Sequence, residues 1–129
     1  MTSFKPKYEE RYKEILGDEY PVFRESIVKP LNASIRVNTL KVSTEELIER
    51  FTGMYKWELK QVPFYKEGYK FETKKPVVLG NTLEHFLGYF YIQEVASMIP
   101  PVVLDPKQGE TILDMAAAPG SKTTQMAQM

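Results

Sequence analysis

A single carboxylate followed by a run of small residues is the clearest chemical feature of the sequence. It lies in the final string, TILDMAAAPGSKTTQMAQM, where Asp114 follows the apolar pair Ile112–Leu113 and precedes Ala116–Ala118. Pro119–Gly120 favours a turn, and the residues from Ser121 onward favour a helix. Small side chains let the backbone approach a ligand, and the amides that begin the next helix point at its negative groups. This order is typical of the first strand, loop and helix of a doubly wound nucleotide or cofactor domain.

The loop departs from the two familiar phosphate-binding motifs. A Walker A loop needs G-x-x-x-x-G-K-[ST], but Ala116 and Ser121 occupy its two glycine positions before Lys122. A G-x-G-x-x-G loop is also excluded, because Gly120 is the only glycine here. On spacing alone, an ordinary strand-to-helix turn remains an equal alternative.

The literal string DMAAAPGSKT resembles the S-adenosylmethionine (SAM) loop of the Sun/Fmu (Nop/Sun) family of RNA cytosine-5 methyltransferases, in which DMCAAPGGKT is usual. Upstream, YFYIQEVASM at 89–98 resembles the family's preceding motif, and SIRVNTLK at 34–41 resembles its N-terminal S-x-R-x-N-T-x-K signature. The three motifs keep the family's order, and they look most like those of archaeal transfer-RNA enzymes. Ala116 and Ser121 replace the usual cysteine and glycine, and both are small enough to preserve cofactor approach.

The resemblance implies a SAM site in which the loop backbone contacts the methionine portion of the cofactor. Asp114 would take the ammonium group of that portion, directly or through water. The implied cofactor-binding residues are Asp114, Ala116, Ala117, Ala118, Pro119, Gly120, Ser121 and Lys122. The resemblance also makes Arg36, Asn38 and Gln93 candidates for organising the RNA side or the loop. A buried Arg–Asn hydrogen-bond pair that serves only folding is an equal alternative.

The family's chemistry uses groups that this chain lacks. A cysteine thiolate adds to carbon-6 of cytosine and makes carbon-5 nucleophilic enough to attack the methyl sulfonium. The chain has no cysteine, so we expect the 129 residues alone to be inactive. The Ile112–Leu113 strand would belong inside a parallel sheet, so we also expect it to pair with another chain, to adopt a non-family arrangement or to be part of a larger molecule.

Composition sets broader bounds. The 43% hydrophobic and 26% charged residues are typical of a globular protein, and the N-terminus has no apolar signal region, which predicts a cytoplasmic location. The single histidine, His85, and the absence of cysteine argue against a zinc site.

Charge is unevenly distributed along the chain. Residues 1–75 carry 15 basic and 12 acidic residues, a net charge of +3, whereas residues 76–129 carry a net charge of −3. The basic half, with Lys70 and Lys74 on one strand face, is compatible with RNA phosphate contacts.

Periodicity predicts the remaining elements. Helices are expected from Lys7 to Gly17 and from Asp18 to Pro30, and a strand with one wet face is expected from Ser34 to Lys41. A helix capped by Ser43 and two further strands, Trp57–Val62 and Gly68–Thr73, complete an α+β module like a reduced RNA-recognition fold. A short helix capped by Asn81 or Thr82, an extended segment at 89–92 and a helix interrupted or ended near Pro100–Pro101 follow.

We therefore expect two domains: an α+β RNA-positioning module over residues 1–75, and the first strand and helix of a Rossmann-like α/β methyltransferase domain over residues 76–129. The predicted function is the N-terminal part of a SAM-dependent RNA cytosine-5 methyltransferase, with transfer RNA favoured over ribosomal RNA and no metal or membrane partner. A non-enzymatic RNA-binding adaptor and one half of a split methyltransferase are the alternatives. A phosphate-binding nucleotidase is disfavoured by the missing Walker glycines.

Overall fold

The computed structural model describes residues 4–29, 31–72 and 78–129. The chain divides into two compact units, Met1–Leu31 and Asn32–Met129. The expected domain junction at Lys74–Pro76 lies outside the described residues.

The first unit contains two helices. Helix α1 (Pro6–Leu16) has a proline in its first turn, and a 3₁₀ turn (Gly17–Glu19) leads into α2 (Tyr20–Ile27). Aromatic rings at helical spacing stack along them, with 4.9 Å between the centroids of Tyr12 and Phe23. The two expected helices are thus confirmed, and their shared face is aromatic.

The second unit is built on a four-stranded antiparallel sheet in the order β2-β3-β1-β4. Its strands are β1 (Ser34–Val37), β2 (Leu59–Val62), β3 (Tyr65–Phe71) and β4 (Phe90–Ile92). Three helices, α3 (Thr44–Met54), α5 (Val95–Leu104) and α6 (Ser121–Gln128), accompany a 3₁₀ turn (Leu79–Asn81) and the short α4 (Leu83–Phe86). The expected α+β class is confirmed.

One face of the sheet forms the main core with α3. Ile35 and Val37 of β1 are completely buried, and they pack with Leu47 and Phe51 of the helix. The Ser43 hydroxyl accepts a hydrogen bond from the Glu46 amide at 3.1 Å, which confirms the expected cap.

The opposite face is covered by α5 and α6, so the expectation of a wet face on β1 is wrong. Arg36, the outward residue of this strand, is only 2% exposed. The Met98 side chain of α5 lies over β3, where a Cβ on Gly68 would come within 2.9 Å of its sulfur atom. The alternation in β1 therefore separates two buried faces, one apolar and one polar.

Helix α5 continues through Pro100 and Pro101 instead of ending there. Pro101 has no amide hydrogen to donate to the carbonyl of Ser97. The Gln93 side-chain amide donates to that carbonyl at 3.2 Å and replaces the missing bond. The expected interruption is wrong because a side chain that precedes the helix supplies the absent donor.

The strand expected at Ile112–Leu113 is not formed. Residues 110–114 have no strand pairing, and Leu113 is 82% exposed. The neighbours expected for it would be strands of a parallel sheet, whereas the sheet of this unit is antiparallel throughout. The following helix begins at Ser121 as expected.

Within residues 4–29, 31–72 and 78–129, no helix is long and apolar enough to cross a membrane. In the same ranges, no group of three or more His, Cys, Asp and Glu side chains is arranged to hold a metal ion.

Candidate cofactor loop and its supports

The Asp114 carboxylate closes the loop that precedes α6. One carboxylate oxygen accepts a hydrogen bond from the Ala116 amide at 3.0 Å, and the other accepts one from the Thr123 hydroxyl at 2.6 Å. The Thr123 hydroxyl, the Ala116 amide and the nearby charge of Lys122 lower the pKa of Asp114 below its usual range. The carboxylate is therefore ionised at neutral pH and is held across the first turn of the helix.

The loop backbone between Asp114 and α6 is open to solvent. Ala116, Ala117, Ala118 and Pro119 are exposed. Gly120 has a φ of 107°, a conformation that other residues rarely adopt, and it is the N-terminal cap of α6. The amides of the first turn of a helix have no acceptor within the helix, so this end of α6 can hold negative groups.

A cavity of about 610 Å³ lies beside the loop. Asp114, Ala117 and Thr123 line it, together with the Ile112 side chain and residues of the last turn of α6. The loop thus combines a fixed carboxylate, unobstructed backbone and adjacent space.

Glutamine side chains anchor α6 to α5 and to the sheet. Gln125 is completely buried; its side-chain amide donates to the Met98 carbonyl at 3.0 Å, and its oxygen accepts from Gln93 at 2.7 Å. Gln128 donates to the Val37 carbonyl at 2.9 Å. These bonds connect the helix that follows the loop to β1.

These hydrogen bonds form a polar layer between the sheet and helices α5 and α6. The Arg36 guanidinium lies at the centre of this polar layer. Its Nε donates to the Gln93 side-chain oxygen at 3.0 Å, its Nη2 donates to the Thr124 hydroxyl at 2.8 Å, and its Nη1 donates to Gln128. Burial lowers the pKa of Arg36, because its direct acceptors are neutral.

The other residues proposed for the RNA side are spread over the sheet. Asn38 donates to the Gly88 carbonyl at 2.9 Å and thereby joins the end of β1 to the loop before β4. Lys70 is half-buried on β3, paired with Ser34 in register, and Lys74 lies outside the described residues. The structure therefore brings Arg36 and Gln93 into contact, and Arg36 and Asn38 line one cavity together with Tyr91 and Thr124.

Comparison with known proteins defines the family. The profile of the N-terminal domain of 16S rRNA methyltransferase RsmF matches residues 4–95, and that of 16S rRNA methyltransferase RsmB/F matches residues 101–129. The chain belongs to the Sun/Fmu family of RNA cytosine-5 methyltransferases. The resemblance inferred from the three motifs is confirmed.

Two relatives indicate how much of the family's length is present. The ribosomal RNA small subunit methyltransferase F of Shewanella sediminis is 49% identical over 78% of this chain and 22% of its own length. The tRNA (cytosine(49)-C(5))-methyltransferase of Pyrococcus abyssi is 49% identical over 95% of this chain and 38% of its own length. The chain therefore spans about a fifth to two fifths of these relatives.

Solved structures agree with this assignment. A methyltransferase homolog protein from Pyrococcus horikoshii superposes with a TM-score of 0.79 at 42% identity, over 98% of this chain and 41% of that one. The structure of NSun6 from the same organism, at 23% identity and a TM-score of 0.83, supports the fold alone.

Sequence reasoning missed the polar side of α6. Thr124, Gln125 and Gln128 share one helical face by their spacing of one, three and four residues. An amphipathic helix normally packs through an apolar face, so a contact face made of hydroxyl and amide groups gave no ordinary core signal. Their partners are up to 92 positions distant in the sequence, which local periodicity does not reveal.

Proposed function

We propose that the chain is the N-terminal part of a SAM-dependent RNA cytosine-5 methyltransferase and that residues 114–122 bind the methionine portion of SAM. The observation that carries the proposal is the fixed, ionised Asp114 beside an exposed backbone loop. SAM would supply an electrophilic methyl group. Asp114 would bind its ammonium group, and the loop and the first turn of α6, through Lys122, would contact the rest of the methionine portion.

The same proposal assigns two domains and the RNA side. Residues 1–75 would position RNA, and residues 76–129 would begin the Rossmann-like methyltransferase domain. In the complete enzyme, Ile112 and Leu113 would enter a parallel sheet; their apolar side chains, 39% and 82% exposed, support this. The 129-residue chain, which has no cysteine, would not methylate cytosine alone.

Transfer RNA is the substrate we favour over ribosomal RNA. The support is the length of the match, since the archaeal tRNA enzyme aligns with 95% of this chain and the bacterial ribosomal enzyme aligns with 78%. Lys70 and Lys74 would contact phosphates, whereas Arg36, Asn38 and Gln93 would organise the RNA side or the loop. Loss of one phosphate contact should reduce the salt slope of RNA binding by about 0.7 to 0.9.

The cofactor assignment is tested by SAM calorimetry on protein expressed from the complete reading frame that contains these residues. Gly120→Val places a side chain where the cofactor needs bare backbone, so we expect loss of SAM binding. Gly17→Val is the matched control, because Gly17 also has a positive φ, of 51°, but lies in the first unit. Unchanged SAM affinity in a folded Gly120→Val protein would refute the assignment.

A further inference from the structure

We infer that Arg36 is a positioning residue that fixes the cofactor loop from the sheet face on which α6 packs. The inference rests on the proposed function of residues 114–122 and assigns a role to a side chain that reaches the loop backbone through Thr124 and Tyr91. Its basis is a continuous set of hydrogen bonds that begins on β1 and ends on the loop.

The first route runs through Thr124. The Thr124 hydroxyl accepts a hydrogen bond from Arg36 Nη2 at 2.8 Å and donates its own hydrogen to the Gly120 carbonyl at 2.7 Å. A hydroxyl can do both because it has one hydrogen and two lone pairs. Gly120 is the cap of α6 and the last turn residue of the loop, so two bonds connect the guanidinium to the loop backbone.

The second route runs through Tyr91, which lies opposite Arg36 in the β1–β4 register. The guanidinium carbon lies 5.7 Å from the centre of the Tyr91 ring, within cation–π range. The Tyr91 hydroxyl reaches the Pro119 carbonyl at 3.4 Å. Through Tyr91 and Thr124, Arg36 is therefore connected to two successive loop residues, Pro119 and Gly120.

Three neutral oxygen atoms accept the hydrogen bonds of the Arg36 guanidinium: one on Gln93, and two on α6, at its fourth and eighth residues. The guanidinium therefore bonds to two successive turns of this short helix. Lysine would keep the charge but could not reproduce the three-way fork of the guanidinium.

The test measures two properties in protein from the complete reading frame: the dissociation constant for SAM, and amide hydrogen exchange in α6 and α3. Arg36→Met, Arg36→Lys and Thr124→Val should each weaken SAM binding by about 10-fold or more, the loss expected for a hydrogen bond to a charged group. Amides in the second half of α6 should exchange at least about 10-fold faster, while those of α3 keep their protection. Thr52→Val is the matched control, because the Thr52 hydroxyl also donates to the carbonyl four residues earlier, at 2.9 Å, but lies on the exposed face of α3.

The outcomes distinguish failure of the proposed function from failure of the positioning role of Arg36. Failure of the wild-type protein to bind SAM would refute the proposed function, and α6 exchange alone would then decide the role of Arg36. Wild-type affinity and wild-type α6 exchange in Thr124→Val would overturn the positioning role. This variant also covers the case in which loss of buried Arg36 prevents folding.

Discussion

Alanine at Gly68 is expected to destabilise the sheet, because its methyl group would have to displace the side chains of Met98 and Val62. A Cβ there would lie 2.9 Å from the Met98 sulfur and 3.2 Å from both Cβ and Cγ2 of Val62. Overpacking of this kind costs about 1–3 kcal/mol. Alanine also lowers the conformational entropy of the unfolded chain, which offsets about 0.5–1 kcal/mol of this cost. We therefore expect a net loss between about 0 and 2.5 kcal/mol, centred near about 1 kcal/mol, which corresponds to a fall of a few degrees in the melting temperature.

Urea unfolding followed by the fluorescence of Trp57, the sole tryptophan, measures this loss within the same unit. Gly53→Ala is the control: it lies in α3, nothing stands within 4 Å of the place that its methyl carbon would occupy, and its φ is not positive. That substitution should raise stability by about 0.5–1 kcal/mol. A Gly68→Ala protein that gains as much stability as Gly53→Ala would refute the packing of α5 against β3 on which the polar layer depends.

Two further predictions concern buried hydroxyl and carboxylate groups. Burial, and then the charge of Glu67, raise the pKa of Tyr65 to about 12, and its hydroxyl has no hydrogen-bond partner among the described residues. Because the folded pKa exceeds the ordinary value of 10, the Tyr65 hydroxyl contributes stability below pH 10 that is lost as the pH rises toward 12. Unfolding free energies measured against pH should show this loss. The Tyr65→Phe variant should not show it. Tyr55→Phe deletes the hydroxyl that donates to the buried Glu84 carboxylate at 2.9 Å. The free energy of unfolding in urea should fall by about 1–3 kcal/mol. An unchanged unfolding midpoint would contradict that hydrogen bond.

Local sequence signals predicted the elements that depend on their own residues. The Ser43 cap, the apolar alternation of Ile35 and Val37 and the helix start at Ser121 each arise from interactions within a few positions. The three family motifs predicted the family, which is confirmed, and the cofactor role of the contiguous loop from Asp114 stays a prediction.

The errors arose where distant residues decide the structure. Arg36 occupies a position that alternation assigns to solvent, but α5 and α6 cover it. The helix with Pro101 continues because Gln93 supplies a donor from outside it. Ile112–Leu113 has strand composition but no strand neighbour here, and a strand needs hydrogen-bonding partners that composition does not provide.

The most direct test of the central claim is the identity of the methylated product. Protein from the complete reading frame is incubated with unmodified transfer RNA, ribosomal RNA and methyl-labelled SAM, and the RNA is digested to nucleosides. We predict label in 5-methylcytidine, from transfer RNA in preference to ribosomal RNA, and no label with the 129-residue chain alone. Label in any other nucleoside, or RNA binding without methyl transfer by the complete protein, would contradict the assignment as an RNA cytosine-5 methyltransferase.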